Sequence, residues 1–199
     1  MKPLLLATRN RGKKREIEAF LLEGGLELNL LSLADAGVAE AAAETGATFA
    51  ANARLKADFY SRITGLDTLG DDSGLEVPAL GGRPGVRSAR YAGEGADDEA
   101  RIRKLLAEMD GVSDRRARFV SAVCLSRGGA PLAAFRGEVR GEILPAKRGT
   151  GGFGYDPLFL YPPLGRTFAE LALEEKNRIS HRARALAQVR EFILAGGLS

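Results

Sequence analysis

Ala117 to Ser126 reads with the period of an extended strand, and Arg127-Gly128-Gly129-Ala130 follows it with a hairpin turn. Leu132 to Leu144 then supplies one or two further strands. That hairpin cannot be built into a helical bundle. Elsewhere the period is helical. Ile17, Phe20, Leu21 and Leu22 recur along Lys14 to Leu22, and Gly24-Gly25 stops that helix. A second helix is predicted from near Thr48 to Ile63, and a third from a cap at Asp97 or Asp98 through Met109. Ser180 caps a last amphipathic helix that uses Ala183, Leu186, Val189 and Ile193. Leu4 to Ala7 and Leu26 to Leu33 read as strands, and Val38 to Thr45 as a loop. Helices interleaved with antiparallel hairpins imply an α/β fold with a mixed sheet.

Composition removes several function classes. The chain has 199 residues, enough to bury roughly 70% of the surface it exposes when unfolded, so one domain over 1–199 is expected. Cys124 is the single cysteine and His181 the single histidine, so no disulfide framework and no zinc site of the usual kind can form within the chain. A catalytic metal here is a hard cation held by carboxylates. No apolar run reaches the ~20 residues of a membrane helix, and the N-terminal apolar stretch is too short for a signal peptide. A cytoplasmic protein without a membrane partner is expected. The 29 Lys+Arg against 26 Asp+Glu are interspersed, unlike the concentrated basic runs of a nucleic-acid binder.

Five segments can carry chemistry. Thr8-x-Asn10-x-x-Lys13 lies at a strand-to-helix junction, where unpaired N–H groups and the helix dipole suit phosphate; a plain capped helix has the same residues. Asp71-Asp72-Ser73-Gly74 offers adjacent carboxylates at a strand end, able to hold Mg²⁺ and orient water. The same residues make an Asx-type turn, and in a strand only one of the two carboxylates faces a given side. Asn52 and Lys56 share one face of the second helix with Phe49 and Ala53, and Glu44 precedes them; a solvated charge pair is the alternative. Gly149-Thr150-Gly151-Gly152-Phe153-Gly154 matches G-x-G-x-x-G, but Tyr155-Asp156-Pro157 follows where a dinucleotide site needs a helix. That loop can instead hold a base against Phe153. Finally, Ser180-His181-Arg182 sets cations in a first helical turn, against the dipole, which an anionic or carbonyl-bearing ligand would offset; a lone surface histidine is the alternative.

Taken in order, these blocks resemble the inosine triphosphate pyrophosphatase family. The similarity runs from Leu4 to Leu186 through Ala7-Thr8-Arg9-Asn10-Arg11-Gly12-Lys13, Glu44-Thr45-Gly46-x-Thr48-Phe49, Asn52-Ala53-x-x-Lys56-Ala57, Asp71-Asp72-Ser73-Gly74-Leu75, Gly85-Val86-x-Ser88-Ala89-Arg90-Tyr91, Gly149 to Pro157 and Ser180-His181-Arg182. Arg9 is a variation, since relatives often carry a smaller residue there. The resemblance implies an elongated twisted mixed sheet flanked by helices, forming two lobes with a central substrate cleft, and a homodimer. It implies Mg²⁺-dependent hydrolysis of inosine, deoxyinosine and xanthosine triphosphates to monophosphate and pyrophosphate, which cleanses the nucleotide pool.

Residue by residue, the resemblance makes Asp72 the general base and, with Glu44, a metal ligand. It places Thr8, Asn10, Lys13, Lys56, Ser73 and Lys176 on the substrate, and Phe153, Gly154, Tyr155, Asp156, His181 and Arg182 around the base. Donors facing position six accept a carbonyl and reject adenine, a discrimination that can reach ~10⁴-fold. Two rivals are a related pyrophosphatase for modified pyrimidine or methylated nucleotides, and a non-catalytic nucleotide- or RNA-binding module. Glu44 and Asp72 oppose the second, because carboxylates hinder polyanion binding unless they hold a metal.

Overall fold

The computed structural model describes residues 3–23 and 25–198. Its centre is a mixed seven-stranded sheet of order β2-β1-β3-β4-β5-β6-β7, formed by β1 (Pro3–Leu6), β2 (Asn29–Ser32), β3 (Asp67–Glu76), β4 (Arg116–Arg127), β5 (Ala130–Ile143), β6 (Phe159–Tyr161) and β7 (Arg166–Thr167). Among the described residues five α-helices accompany it: α1 (Arg11–Glu23), α2 (Phe49–Thr64), α3 (Asp98–Glu108), α4 (Leu173–Ile179) and α5 (His181–Leu194). The chain divides into two compact units, Met1–Asp72 with Ser121–Gly137 and His181–Ser199, and Ser73–Val120 with Glu138–Ser180.

In the first unit β1 pairs in parallel with β2 on one side and β3 on the other, with Leu4 opposite both Leu30 and Asp67. A parallel strand covered on both faces reads as an unbroken apolar run, which is why Leu4-Leu5-Leu6 carries no polar alternation. Successive side chains leave on opposite faces. Leu4 and Leu6 join Ile17, Leu21, Leu186 and Val189, from α1 and α5, while Leu5 and Ala7 join Leu33 and Tyr60. Thr48 caps α2 by accepting the Ala51 N–H at 3.1 Å, and Gly65 closes the helix in the left-handed conformation.

The second unit is built around Leu75, Leu105, Met109, Phe119, Val139, Phe159 and Phe168. Phe119 stacks on Phe168 with centroids 5.8 Å apart and leans on Phe159 at 4.6 Å. β5, β6 and β7 are antiparallel, with Ile143 opposite Phe159 and Leu160 opposite Thr167.

Several sequence expectations change. Of the one or two strands expected over Leu132 to Leu144 the structure has one, β5, which starts earlier, at Ala130, and ends at Ile143. The Leu26–Leu33 strand contracts to Asn29–Ser32, because Leu28 N–H turns back to the Leu26 carbonyl at 3.0 Å. Gly24 lies outside the described residues, and Gly25 closes α1 on the Leu22 carbonyl at 3.2 Å. The short α4 was not expected; Glu175 fixes its start by accepting the Ala172 N–H at 2.8 Å.

The largest correction concerns Asp71-Asp72, which lie inside the ten-residue β3 rather than at a strand end or an Asx turn. Polar residues survive in a buried strand when each finds a partner. Here Arg127 grips Asp67 with two bonds of 2.6 and 2.7 Å, and the Thr68 hydroxyl donates to the Leu66 carbonyl at 3.0 Å. Gly70 lets α2 lie directly on the strand: a Cβ there would sit 2.3 Å from the Ala53 carbonyl oxygen.

Candidate active site

The first unit gathers two linked charge clusters. One begins at the β1–α1 turn. The Asn10 side chain accepts the Lys13 N–H at 3.0 Å, the N-cap bond that starts α1, and the Thr8 hydroxyl accepts the Asn10 N–H at 3.2 Å. The first turn then aims Lys13 at Asp71, Nζ to Oδ1 2.9 Å. Asp71 also accepts the Ser121 hydroxyl at 2.7 Å and lies 3.5 Å from Arg182. Arg182 is 1% exposed and pairs with Glu16 of α1. The anions that offset this cation at the start of α5 therefore belong to the chain itself.

The second cluster centres on Lys56, whose Nζ lies 2.9 Å from Glu44 and 3.0 Å from Asp72. Asn52, one turn earlier on α2 and 0% exposed, donates to Asp72 at 3.2 Å and accepts the Gly46 N–H at 2.7 Å. Glu44 stands in a segment without regular structure, and Gly46 is fixed to the helix that carries Asn52 and Lys56. The sequence pairing of Asn52 with Lys56 on one helix face is thus real, and Glu44 joins it.

The two adjacent carboxylates are driven apart electrostatically. Burial would raise Asp71, but Lys13, Arg182 and Lys56 outweigh it and hold its carboxyl well below the usual carboxylate range. Burial dominates at Asp72 and raises it, although Lys56 and Lys13 pull the other way. At Lys56 burial opposes the charge, yet Asp72 and Glu44 prevail and raise it, whereas at Lys13 burial prevails and lowers it. Neighbouring titratable groups pushed in opposite directions are a mark of divided roles.

The second unit holds the glycine-rich loop. Asp156 folds it back by accepting the Phe153 N–H at 2.9 Å and pairing with Lys176 of α4. Gly152 makes this possible, with φ at +71° and a site where a Cβ would meet the Asp156 carboxylate at 2.1 Å. Lys176 Nζ lies 5.0 Å from the centroid of the Phe153 ring. Gly154 N–H donates to Asp98 at 2.7 Å, and the Tyr155 hydroxyl to the Ser88 carbonyl at 3.0 Å. Ser73 opens this unit's share of β3 and is half-buried.

The structure therefore joins Lys13, Lys56, Glu44, Asp72 and Arg182 in the first unit's clusters, with Thr8 and Asn10 at the turn that starts α1. Phe153, Asp156 and Lys176 meet in the second, Gly154 and Tyr155 share their loop, and His181 opens α5 next to Arg182. Asp71, Glu16 and Asp98 were missed as partners. Glu16 gave one signal, a carboxylate beside Ile17 and Leu21 on the apolar face of α1; Asp98 gave none, being 56 residues from Gly154. Cys124 is buried in β4, where burial pushes its thiol up, which suits no nucleophile.

Among the described residues no three His, Cys, Asp or Glu side chains converge as a ready metal cage, and no helix is long and apolar enough to cross a membrane. Glu44 and Asp72 alone fit Mg²⁺, which takes one or two carboxylates and fills its shell with water and phosphate oxygens.

Fold and site together define a mixed-sheet α/β protein with paired carboxylates set among lysines. The chain belongs to the Ham1 family, whose model matches residues 4–192. It is 52% identical over 193 residues to the dITP/XTP pyrophosphatase of Geobacillus kaustophilus, covering 96% of this chain and 94% of that protein. It is 50% identical over 190 residues to the dITP/XTP pyrophosphatase of Syntrophobacter fumaroxidans, covering 95% and 81%. A HAM1 protein from Coxiella burnetii superimposes with a TM-score of 0.88 at 40% identity, covering 98% of this chain and 100% of that one. The family read from the ordered motifs is borne out.

Proposed function

We propose that the protein hydrolyses deaminated purine nucleoside triphosphates, among them deoxyinosine and xanthosine triphosphate, to the monophosphate and pyrophosphate. The relatives' names support this substrate class. The observation that carries the chemistry is the divergence of two adjacent carboxylates, one locked as an ion between Lys13 and Arg182, the other raised and facing Lys56 and Asn52.

In this reading Lys13, Lys56 and Lys176 bind the phosphates, with Thr8, Asn10 and Ser73 as further donors. Asp72 accepts the proton of a water whose oxygen attacks the α-phosphorus; the bond from that phosphorus to the bridging oxygen breaks, and pyrophosphate leaves. Such displacement depends chiefly on positioning and charge neutralisation. Mg²⁺, held by Glu44 and Asp72, supplies neutralisation of phosphate charge. Phe153 stacks on the purine, with Gly154, Tyr155 and Asp156 shaping its loop. His181 and Arg182 face the six-keto edge, and Glu16 and Asp71 fix the Arg182 guanidinium in place. The homodimer and the cytoplasmic location belong to the same proposal.

Turnover with Mg²⁺ on inosine, xanthosine, adenosine, guanosine and thymidine triphosphates tests it. Pyrophosphate from the first two, with the other three nearly inert, is expected. Orthophosphate as the released product overturns attack at the α-phosphorus. Failure on all five, with nucleotide still bound, favours the binding-module reading.

A further inference from the structure

The β1–α1 turn carries one side chain that the proposed chemistry does not use. Arg9 lies between Thr8 and Asn10, and its side chain reaches some thirty residues along the chain. One terminal nitrogen donates to the carbonyl oxygens of Ala39 and Glu40, both at 2.8 Å, and approaches that of Val38 at 3.3 Å. These carbonyls belong to the segment 38–46, which has no helix or strand to hold it and is largely exposed. Ordering such a segment costs conformational entropy, so its position depends on the few bonds that reach it.

Those bonds lie on either side of Glu44. Before it, Arg9 holds 38–40, the Val38 N–H donates to the Leu33 carbonyl at 2.8 Å, Val38 and Ala42 pack on the cluster of Leu33 and Tyr60, and the Tyr60 hydroxyl accepts the Ala42 N–H and donates to the Glu40 carbonyl, each at 3.2 Å. After it, Asn52 holds the Gly46 N–H at 2.7 Å. Glu44 then meets Lys56 at 2.9 Å. The clamp uses one terminal guanidinium nitrogen, whose two N–H donors match the neighbouring Ala39 and Glu40 carbonyls.

We propose that Arg9 is a positioning residue that fixes the 38–46 segment and thereby sets the Glu44 carboxylate opposite Asp72. The inference rests on the reading of Glu44 as a cation ligand. Groups that orient a metal ligand typically cost 10–100-fold in metal affinity or activity when removed. Loss of the Arg9 clamp therefore weakens the cation requirement's saturation rather than the proton transfer at Asp72.

The test uses Arg9→Ala, Arg9→Lys, Glu44→Gln and the double variant Arg9→Ala/Glu44→Gln. Two quantities are read: hydrogen exchange of the metal-free protein across 38–46, and the Mg²⁺ concentration giving half-maximal turnover of inosine triphosphate. Arg9→Ala is expected to speed exchange in 38–46 alone and to raise the half-saturating Mg²⁺ about 10-fold, with kcat at saturating Mg²⁺ within about 2-fold of wild type. Arg9→Lys falls between the two. In the Glu44→Gln background Arg9→Ala adds nothing to the Mg²⁺ effect, as expected for two residues acting as one unit. Unchanged exchange overturns the clamp. Faster exchange with an unchanged Mg²⁺ requirement makes the clamp merely structural and overturns the positioning role, as does an additive double variant. A Glu44→Gln protein with a normal Mg²⁺ requirement overturns the reading of Glu44 itself, and the positioning role falls with it.

Discussion

Asp71 and Asp72 are neighbours in β3, yet their carboxylates answer to different lysines, Asp71 to Lys13 at 2.9 Å and Asp72 to Lys56 at 3.0 Å. The pleat is the cause: successive strand residues leave on opposite faces. One face meets α1 and α5, the other meets α2. A two-residue acidic motif is thereby divided between a carboxylate held as an ion beside Lys13 and one raised by burial beside Lys56, without any further sequence.

This division predicts opposite phenotypes. Asp71→Asn takes an anion from Lys13 and from the buried Arg182, and breaking a buried pair costs about 3–5 kcal/mol. Asp72→Asn leaves Lys56 still paired with Glu44. It is expected to fold nearly as the wild type while losing about 10²–10⁴-fold in turnover, the usual share of a general base. Thermal melts beside turnover on inosine triphosphate separate the two; equal losses of stability would erase the distinction.

Gly70→Ala tests the contact that holds β3 under α2. The added methyl would meet the Ala53 carbonyl oxygen at 2.3 Å and the Ala57 nitrogen at 2.9 Å, both backbone atoms that cannot rotate aside. Overpacking of this kind costs about 1–3 kcal/mol. A lowered urea midpoint with an unchanged slope is the expected outcome. A midpoint equal to wild type would mean that helix and strand separate at little cost.

How much of this was legible in the sequence follows from what each residue depends on. β1, α1, α2 and α5 announce themselves because their burial is written in local periodicity, as in Leu4-Leu5-Leu6. β3 does not. Its Asp, Thr, Gly and Ser residues look like a turn until Arg127, Ser121 and Lys13 arrive from distant segments to satisfy them. The same holds for Arg182: its place in the first turn of α5 was readable, but its partners Glu16 and Asp71 lie on other elements, and no spacing rule connects them. Lys56 with Asn52 was readable because both partners share one helix face.

Asp98→Ala tests the glycine-rich loop from outside it. Asp98 opens α3 and accepts the Gly154 N–H at 2.7 Å, while Arg101 holds its other oxygen at 3.0 Å. Removing the carboxylate frees the loop next to Phe153 without touching Asp72. The nucleotide KM is expected to rise about 10-fold, the size of one hydrogen bond to a charged group, with kcat largely kept. A fall in kcat at constant KM would place the loop in the chemical step instead.

Acid stability has a specific local source at Glu170. Its carboxylate accepts the Thr167 N–H at 2.7 Å and meets Arg148 at 2.8 Å, and both hold it below its ordinary value of 4.5. A carboxyl lowered by folding stabilises the folded state at every pH above the unfolded value, and that contribution disappears as pH falls through the lower folded value. Glu170→Gln keeps an acceptor for the Thr167 N–H but removes the charge and the titration. The Tm difference between wild type and variant is therefore expected to be constant above the ordinary glutamate value and to close as pH falls below it, through the lowered folded value. Added salt should narrow it at neutral pH, since Arg148 and Glu170 are both partly exposed and such pairs are screened. A difference that never closes down to the acid limit of the folded state would assign the effect to lost packing of the glutamate stem and not to its charge.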